Sequence, residues 1–297
     1  MKVLIAGATG VLGPPTVRLL LAKGHEVIAL FRSERSERLL KSLGAQPVKA
    51  DVLDAAGLIR LAQSTARGVE AVLNLATVIP RDATVPGAWL PNDKVRVEGT
   101  RNLIDVARKA GATRLVQQSI TRIYRDNGDA WIDESAPLAT KQPVHLDSTI
   151  KMESLVQAVQ DLQTVILRGG QFYGAGTFST EALFDKARSG TLRLDGDGSH
   201  FISPIQTEDM AQAVVLALTV PADTGILNVV DDKPLTQRDF FASVAALANP
   251  NCKLVAGDSA VHMPSRRCSN KKIKAMGFAP KYPSHKEGLE DAYARQK

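Results

Sequence analysis

Short apolar runs and amphipathic segments alternate through the first 170 residues of this chain. Runs at Val3–Ala6, Glu26–Phe31, Pro47–Ala50, Ala71–Leu75, Arg114–Gln118 and Thr164–Leu167 have the length and composition of buried strands. Between them, Thr16–Lys23, Glu34–Leu43, Ala55–Ser64, Asp93–Lys109 and Ser148–Asp161 read as helices packed by one face. This order predicts an α/β fold built on a doubly wound parallel sheet, because each parallel strand needs a crossover to reach the next. Two connections are long, Thr77–Pro91 and Ser119–Val144. Both follow strands at the edge where open α/β sheets bind ligands, so they are expected to wall a substrate pocket.

After Gly169 the pattern loosens. Helices are predicted at Thr180–Arg188, Glu208–Leu218 and Gln237–Leu247, a turn at Asp195-Gly196-Asp197-Gly198 and a strand at Ile226–Val230. The expected organisation is a main domain over 1–170 and a smaller lobe over 171–297. The two are interwoven, since parts of 200–230 return to the first.

The most specific local signal is the first one. Val3–Ala6 runs into Gly7, Gly10 and Gly13, spaced G-x-x-G-x-x-G, with Thr9, Val11 and Leu12 between them. A strand, a glycine turn and a helix N-terminus together form a cradle for a pyrophosphate: Gly7 permits the tight turn, Gly10 lets bare backbone approach the pyrophosphate, Gly13 lets the helix lie close on the sheet, and the free N–H groups face the anion. Pro14 and Pro15 suit a helix's first turn, where N–H groups lack intrahelical partners, and place the helix start near Val11.

Composition changes this picture little. The 297 residues are 44% hydrophobic, ordinary for a globular chain, and no stretch approaches a membrane span or a signal peptide. Cys252 and Cys268 have neither metal nor redox spacing, so two free thiols and a cytoplasmic location are expected, with no bound metal. The net charge of +6 is concentrated at one end: residues 266–297 hold nine Lys/Arg against Glu287, Glu290 and Asp291, while the rest balances at 28 to 28. That end is read as a solvated surface, with no nucleic-acid partner, and a homodimer is compatible with the sequence.

Several motifs in order resemble those of the short-chain dehydrogenase/reductase superfamily, in its extended or atypical epimerase/dehydratase-like branch. Beside the glycines, Asp51-Val52 matches the pair that touches the adenine in that family, and Asn74-Leu75-Ala76-Thr77 the segment lying along the cofactor. Val97-Glu98-Gly99-Thr100-Arg101-Asn102-Leu103 resembles the N-V-x-G-T-x-N-L signature, and Ile205 to Ala211 the later V-D-D-V-A stretch. The resemblance implies a Rossmann fold and a nicotinamide dinucleotide. The residue that ends the second strand in NAD-selective proteins is acidic; here Phe31 stands there, followed by Arg32 and Ser33, so NADP is expected in preference to NAD.

At the catalytic positions the chain departs from the family. Family reductases use Ser, Tyr and Lys, the last two as Tyr-x-x-x-Lys, and no such pair stands at the matching place. Lys151 as the lysine puts Asp147 at the tyrosine; Thr149 as the lysine position puts His145 there. The second register keeps Ser148 and Glu153 in step with the family's Tyr-x-x-Ser-Lys-x-x-x-Glu, so His145 is placed at the tyrosine and Thr149 beside the ribose. Upstream, Ser119 and Thr121 flank Ile120 at the usual serine, Tyr124 ends the stretch that resembles the family's S-S-S-x-x-V-Y, and Arg96 replaces the signature asparagine. The resemblance thus implies an NADP-binding enzyme acting on a small carbonyl or hydroxyl compound by reduction, epimerisation or dehydration, with histidine as proton carrier. The rival readings are a non-catalytic NADP-binding sensor, or a non-redox enzyme holding the nucleotide structurally.

Overall fold

The computed structural model describes residues 1–140, 144–258 and 263–296, with the backbone alone for Val144 and His145. In chain order, its first half carries β1 (Lys2–Ala6), α1 (Gly13–Ala22), β2 (Glu26–Phe31), α2 (Glu34–Leu43), β3 (Gln46–Lys49), α3 (Ala55–Gln63) and β4 (Ala71–Asn74). Next come α4 (Leu90–Lys94), α5 (Thr100–Ala110), β5 (Arg114–Ile120), β6 (Trp131–Ile132), α6 (Val144–Gln157) and β7 (Gln163–Gly169). The remainder holds β8 (Gln171–Tyr173), α7 (Phe178–Arg188), β9 (Phe201–Ile202), β10 (Pro204–Gln206), α8 (Thr207–Leu216) and β11 (Gly225–Val229). The last elements are β12 (Leu235–Thr236), α9 (Gln237–Ala248), β13 (Arg267–Cys268), α10 (Lys271–Ala275) and α11 (His285–Ala294).

Seven strands form one sheet in the order β11-β7-β5-β4-β1-β2-β3. The chain builds outward from β1 through β2 to β3, then returns to the other side of β1 with β4, in parallel register throughout these pairings. This reversal puts a topological switch point at the carboxyl ends of β1 and β4. The apolar strand faces meet the helices in a core that includes Leu4, Ile28, Leu58, Val72, Leu103, Leu115, Val156 and Ile166, all essentially buried.

The chain divides into two compact units. The first comprises Met1–Ser119, Lys141–Arg168 and Ala211–Leu227; the second Ile120–Thr140, Gly169–Met210 and Asn228–Lys297. By this division 211–227, within the stretch expected to return, lies with the first unit, while 120–140 lies with the second. The second unit has its own core, in which Tyr173, Phe184, Leu194, Phe240, Val244 and Leu289 are buried. It is built around small two-stranded pairings, β8 with β10, β9 with β12 and β6 with β13. Such two- and three-residue strands were not legible as strands, being too short to show alternation.

Local differences from expectation have plain causes. Helix α1 starts at Gly13, not Val11, because the Gly7–Gly13 backbone is spent on turns: Gly10 N–H donates to the Gly7 carbonyl and Gly13 N–H to the Gly10 carbonyl, each at 3.0 Å. Helix α6 starts four residues earlier than the pattern suggests, at Val144. Residues Val95–Gly99, just before α5, form a π-helical turn rather than a continuous α-helix. No helix among the described residues is long and apolar enough to cross a membrane. Both cysteines are free; burial pushes the Cys268 thiol up to about 12, which leaves it protonated and inert at neutral pH.

Candidate functional site

In the first unit a cleft of about 450 Å³ opens beyond the ends of β1 to β4, at the switch point. Of the residues expected at a dinucleotide, Gly7, Thr9, Gly10, Arg32, Ser33, Val52, Leu75, Ala76 and Thr77 line it, joined by Ser36 and Val95, which sequence reasoning missed. Gly7 has φ +83°, and a Cβ there would lie 2.5 Å from the Leu75 carbonyl carbon, so only glycine lets β1 turn against the end of β4. Gly13 is equally constrained: a Cβ would come within 2.1 Å of the Ala8 backbone. Gly10 differs. Its Cβ would meet nothing nearer than the Gly7 oxygen at 3.4 Å, so its bare side faces open space in the cleft, as a cradle for a diphosphate requires.

The remaining cofactor candidates stand back from the cleft. Leu12 and Gly13 are buried and Val11 is exposed. Asp51 accepts the Leu53 N–H at 2.9 Å and lies 3.8 Å from the Arg32 guanidinium, so its carboxylate shapes the turn after β3. Thr149 is fully buried and its hydroxyl has no hydrogen-bond partner, an arrangement that does not present it to a ribose.

The Gly-Thr-x-Asn segment is explained by packing. Gly99 approaches Val52 so closely that a Cβ would sit 3.0 Å from its methyl, and Asn102 donates to the Val52 carbonyl at 2.8 Å, so this segment holds the Asp51-Val52 turn. Asn74 donates to Thr100 Oγ1 at 3.0 Å and to Gln117 Oε1 at 2.8 Å, and its own oxygen receives the Ala76 N–H at 3.2 Å. One buried amide network thereby fixes the post-β4 backbone that lines the cleft. Arg96, at the signature asparagine, is buried against Ser148, whose hydroxyl donates to Asp93 at 2.7 Å. Burial lowers the Arg96 guanidinium below the usual arginine range while the Asp93 charge opposes that shift.

At the end of β2, Phe31 is buried and Arg32 is well exposed. Ser33 caps α2: its hydroxyl accepts the Ser36 N–H at 3.3 Å and lies 3.0 Å from the Ser36 hydroxyl. One guanidinium, two hydroxyls and a helix N-terminus thus line one side of the cleft.

The side chain of His145 lies outside the described residues, though its backbone is in α6, where Asp147 and Lys151 are exposed. Ser119, in the first unit, donates to Glu153 Oε1 at 2.6 Å, and Glu153 is gripped by Arg168 through Nε at 3.0 Å and Nη2 at 2.6 Å. The expectation that Ser119 serves catalysis meets a hydroxyl proton already committed to a buried carboxylate. Tyr124, in the second unit, is fully buried and donates to Asn228 Oδ1 at 2.8 Å. Thr121 is buried and lines a cavity of the second unit. A literal Tyr-x-x-x-Lys does occur at Tyr282 to Lys286, but Asp209 binds the Tyr282 N–H and its ring is buried.

That second-unit cavity measures about 460 Å³. It is walled mainly by residues from 171–203 and 237–266; of the long loop after β5 only Thr121 and Arg122 reach it, and Thr77 and Val78 line the dinucleotide cleft instead. Among the described residues no cluster has the make-up of a metal site.

Comparison with known proteins agrees with this geometry. A family model described as the NAD dependent epimerase/dehydratase family matches residues 3–229. The chain is 32% identical to a 3-diazoavenalumate denitrifying reductase from Streptomyces sp., over 97% of this chain and 99% of that protein. It is 30% identical to a 2-alkyl-3-oxoalkanoate reductase from Stenotrophomonas maltophilia, over 73% of this chain and 65% of that protein. Among solved structures, the Streptomyces venezuelae dTDP-glucose 4,6-dehydratase DesIV, with NAD bound, superposes with a TM-score of 0.83 at 24% identity, covering 100% of this chain and 97% of the other. Human epimerase family protein SDR39U1, solved with NADPH, has a TM-score of 0.83 at 21% identity over 99% of each chain. These two structures share the fold.

Proposed function

This chain belongs to the NAD dependent epimerase/dehydratase family, and from that premise we propose that it is an NADP(H)-dependent reductase of a small electron-poor molecule. The observation that carries the cofactor preference is the end of β2, where Arg32, Ser33 and Ser36 line the cleft and Phe31 stands in place of a carboxylate, Asp51 lying 3.8 Å from Arg32 on the turn after β3. When bound, the dinucleotide supplies a hydride. The residues of the chain decide which acceptors that hydride can serve. Ser119 is held by Glu153 and Tyr124 by Asn228, so neither offers a proton.

An acceptor that needs no proton suits such a site. Replacement of a diazonium group by hydrogen is of that kind: the carbon gains a hydride, the carbon–nitrogen bond breaks and its electron pair leaves with dinitrogen. The relative named for denitrifying reduction of a diazo compound, alike over 97% of this chain, favours this reading. The 3-oxoalkanoate reductase relative favours a second, carbonyl reduction with His145 supplying the proton.

One experiment separates them. NADPH consumption is followed with an aryl diazonium salt and with a β-keto acid, in the native protein and in His145→Phe. The first reading expects dinitrogen release that is insensitive to the substitution; the second expects ketone reduction that falls about a hundredfold, the scale of a lost general acid. Consumption of NADPH with neither compound overturns the reductase reading in favour of a nucleotide-binding protein that turns nothing over.

Cofactor choice has its own test. Arg32→Ala is expected to weaken NADPH binding by about ten- to a hundredfold, the value of a charge-assisted contact, with little effect on NADH. Equal affinities of the native protein for the two dinucleotides in titration calorimetry would refute the preference.

A further inference from the structure

The second-unit cavity is lined by three basic side chains, Arg122, Lys186 and Arg266, together with His200, against one carboxylate, Asp195. Asp195 is partly spoken for, since Gln237 Nε2 donates to it at 2.7 Å. We propose that this cavity binds the carboxylate of the substrate, with the Arg266 guanidinium as its anchor and Arg122 as the second cation. The proposal rests on the reductase reading for the chemistry after binding, and adds the substrate's chemical class.

Arg266 is placed as an anion anchor would be. Its Nε donates to the Tyr124 carbonyl at 2.7 Å and Nη1 reaches the Pro264 carbonyl at 3.4 Å, contacts that fix the plane of the guanidinium. Both acceptors are neutral, and among the described residues no ion pair involves Arg266. A guanidinium has five donors in a rigid fork, so several are left for a ligand. Arg168, which is more deeply buried, is by contrast answered by Glu153, whereas Arg266 is half-buried.

The electrostatics point the same way. Burial first, and the like charge of Arg122 second, bring Arg266 down to about 10. Asp126 offsets this only in part, its Oδ1 already accepting the Ser265 and Gly128 N–H groups. Two guanidiniums held near each other at one cavity repel until an anion comes between them. The rest of the wall supplies Leu183, Ile202, Phe241 and Met263, which suit an apolar body behind the charged group.

The test uses cinnamate, a small apolar carboxylate, its neutral methyl ester and inorganic phosphate, each titrated into the full-length protein by calorimetry. Cinnamate is expected to bind at least about tenfold more tightly than the ester, and Arg266→Gln to remove that difference, as befits loss of a charge-assisted pair. NADPH affinity, which reports the separate cleft of the first unit, stays unchanged in the variant. Loss of NADPH binding or consumption in the native protein would therefore count against the reductase reading, not against this one. Equal binding of acid and ester, no binding of either at millimolar concentration, or phosphate binding more tightly than cinnamate overturns the proposal. Should Arg266→Gln fail to fold, Arg122→Gln, on an exposed side chain, decides: unaltered cinnamate affinity there also overturns it.

Discussion

Gly10→Leu is expected to abolish measurable dinucleotide binding while leaving the fold intact. Of the three glycines in the first turn, two are structural: Gly7 holds φ +83° against the Leu75 backbone, and Gly13 touches the Ala8 backbone where a Cβ would come within 2.1 Å. A side chain at either strains the native state itself, so any loss of binding there is confounded with unfolding. Gly10 has no positive φ, and a Cβ on it meets only the Gly7 oxygen, at 3.4 Å, ordinary contact distance. A leucine side chain would project into the cleft that Gly10 lines and keep a diphosphate from the backbone N–H groups. Loss of two or more charge-assisted contacts predicts an affinity loss of at least about a hundredfold, roughly 3 kcal/mol. Titration with NADPH and NADH beside a thermal melt checks both halves. Undiminished affinity at a native melting temperature would mean that the phosphates do not pass Gly10; a large drop in melting temperature would mean that the turn does not tolerate a side chain there.

The motif spacing already separates Gly7, at the turn, from Gly10, at the bare approach to a pyrophosphate; the residues that make Gly7 obligatory are not legible in it. Motif spacing identifies a strand, a turn and a helix because these depend on residues within about ten positions of one another. The contacts that make Gly7 obligatory come from Leu75, and those that fix Val52 come from Gly99 and Asn102, so their meaning appears only once the strands are in place. The same limit applies to the candidate acid–base residues. Ser119 stands in the segment where the family carries its serine, yet its hydroxyl is governed by Glu153, thirty-four positions on, and Tyr124 by Asn228, further still. Glu153 keeps step with a family motif, and its partnership with Arg168 gives the physical reason for a glutamate there. Elements of two or three residues, such as β8 and β10, were missed because alternation cannot be seen over so short a run. The cationic wall of the second cavity was missed because Arg122, Lys186 and Arg266 come from three separate segments.

Arg168→Met is expected to lower the stability of the protein by about 3–5 kcal/mol, the cost of stranding one member of a buried ion pair. Glu153 and Arg168 are 3% and 4% exposed and meet through two guanidinium nitrogens, the shorter contact being 2.6 Å. Without the arginine, the Glu153 carboxylate keeps, among the described residues, only the Ser119 hydroxyl, too little to offset loss of its hydration. Methionine fills much of the arginine's volume, so the effect measures charge more than cavity. Replacing both partners, Glu153→Met with Arg168→Met, is expected to recover most of the loss, because the uncompensated charge disappears with its partner. Equilibrium urea denaturation of the native protein, the single variant and the double variant forms the test. The result also bears on chemistry, since the pair is what holds the Ser119 proton. A single-variant loss below about 1 kcal/mol would mean that the pair is not tightly coupled in solution. Ser119 would then be free to donate elsewhere, and an acceptor that needs no proton would no longer be the one this site favours.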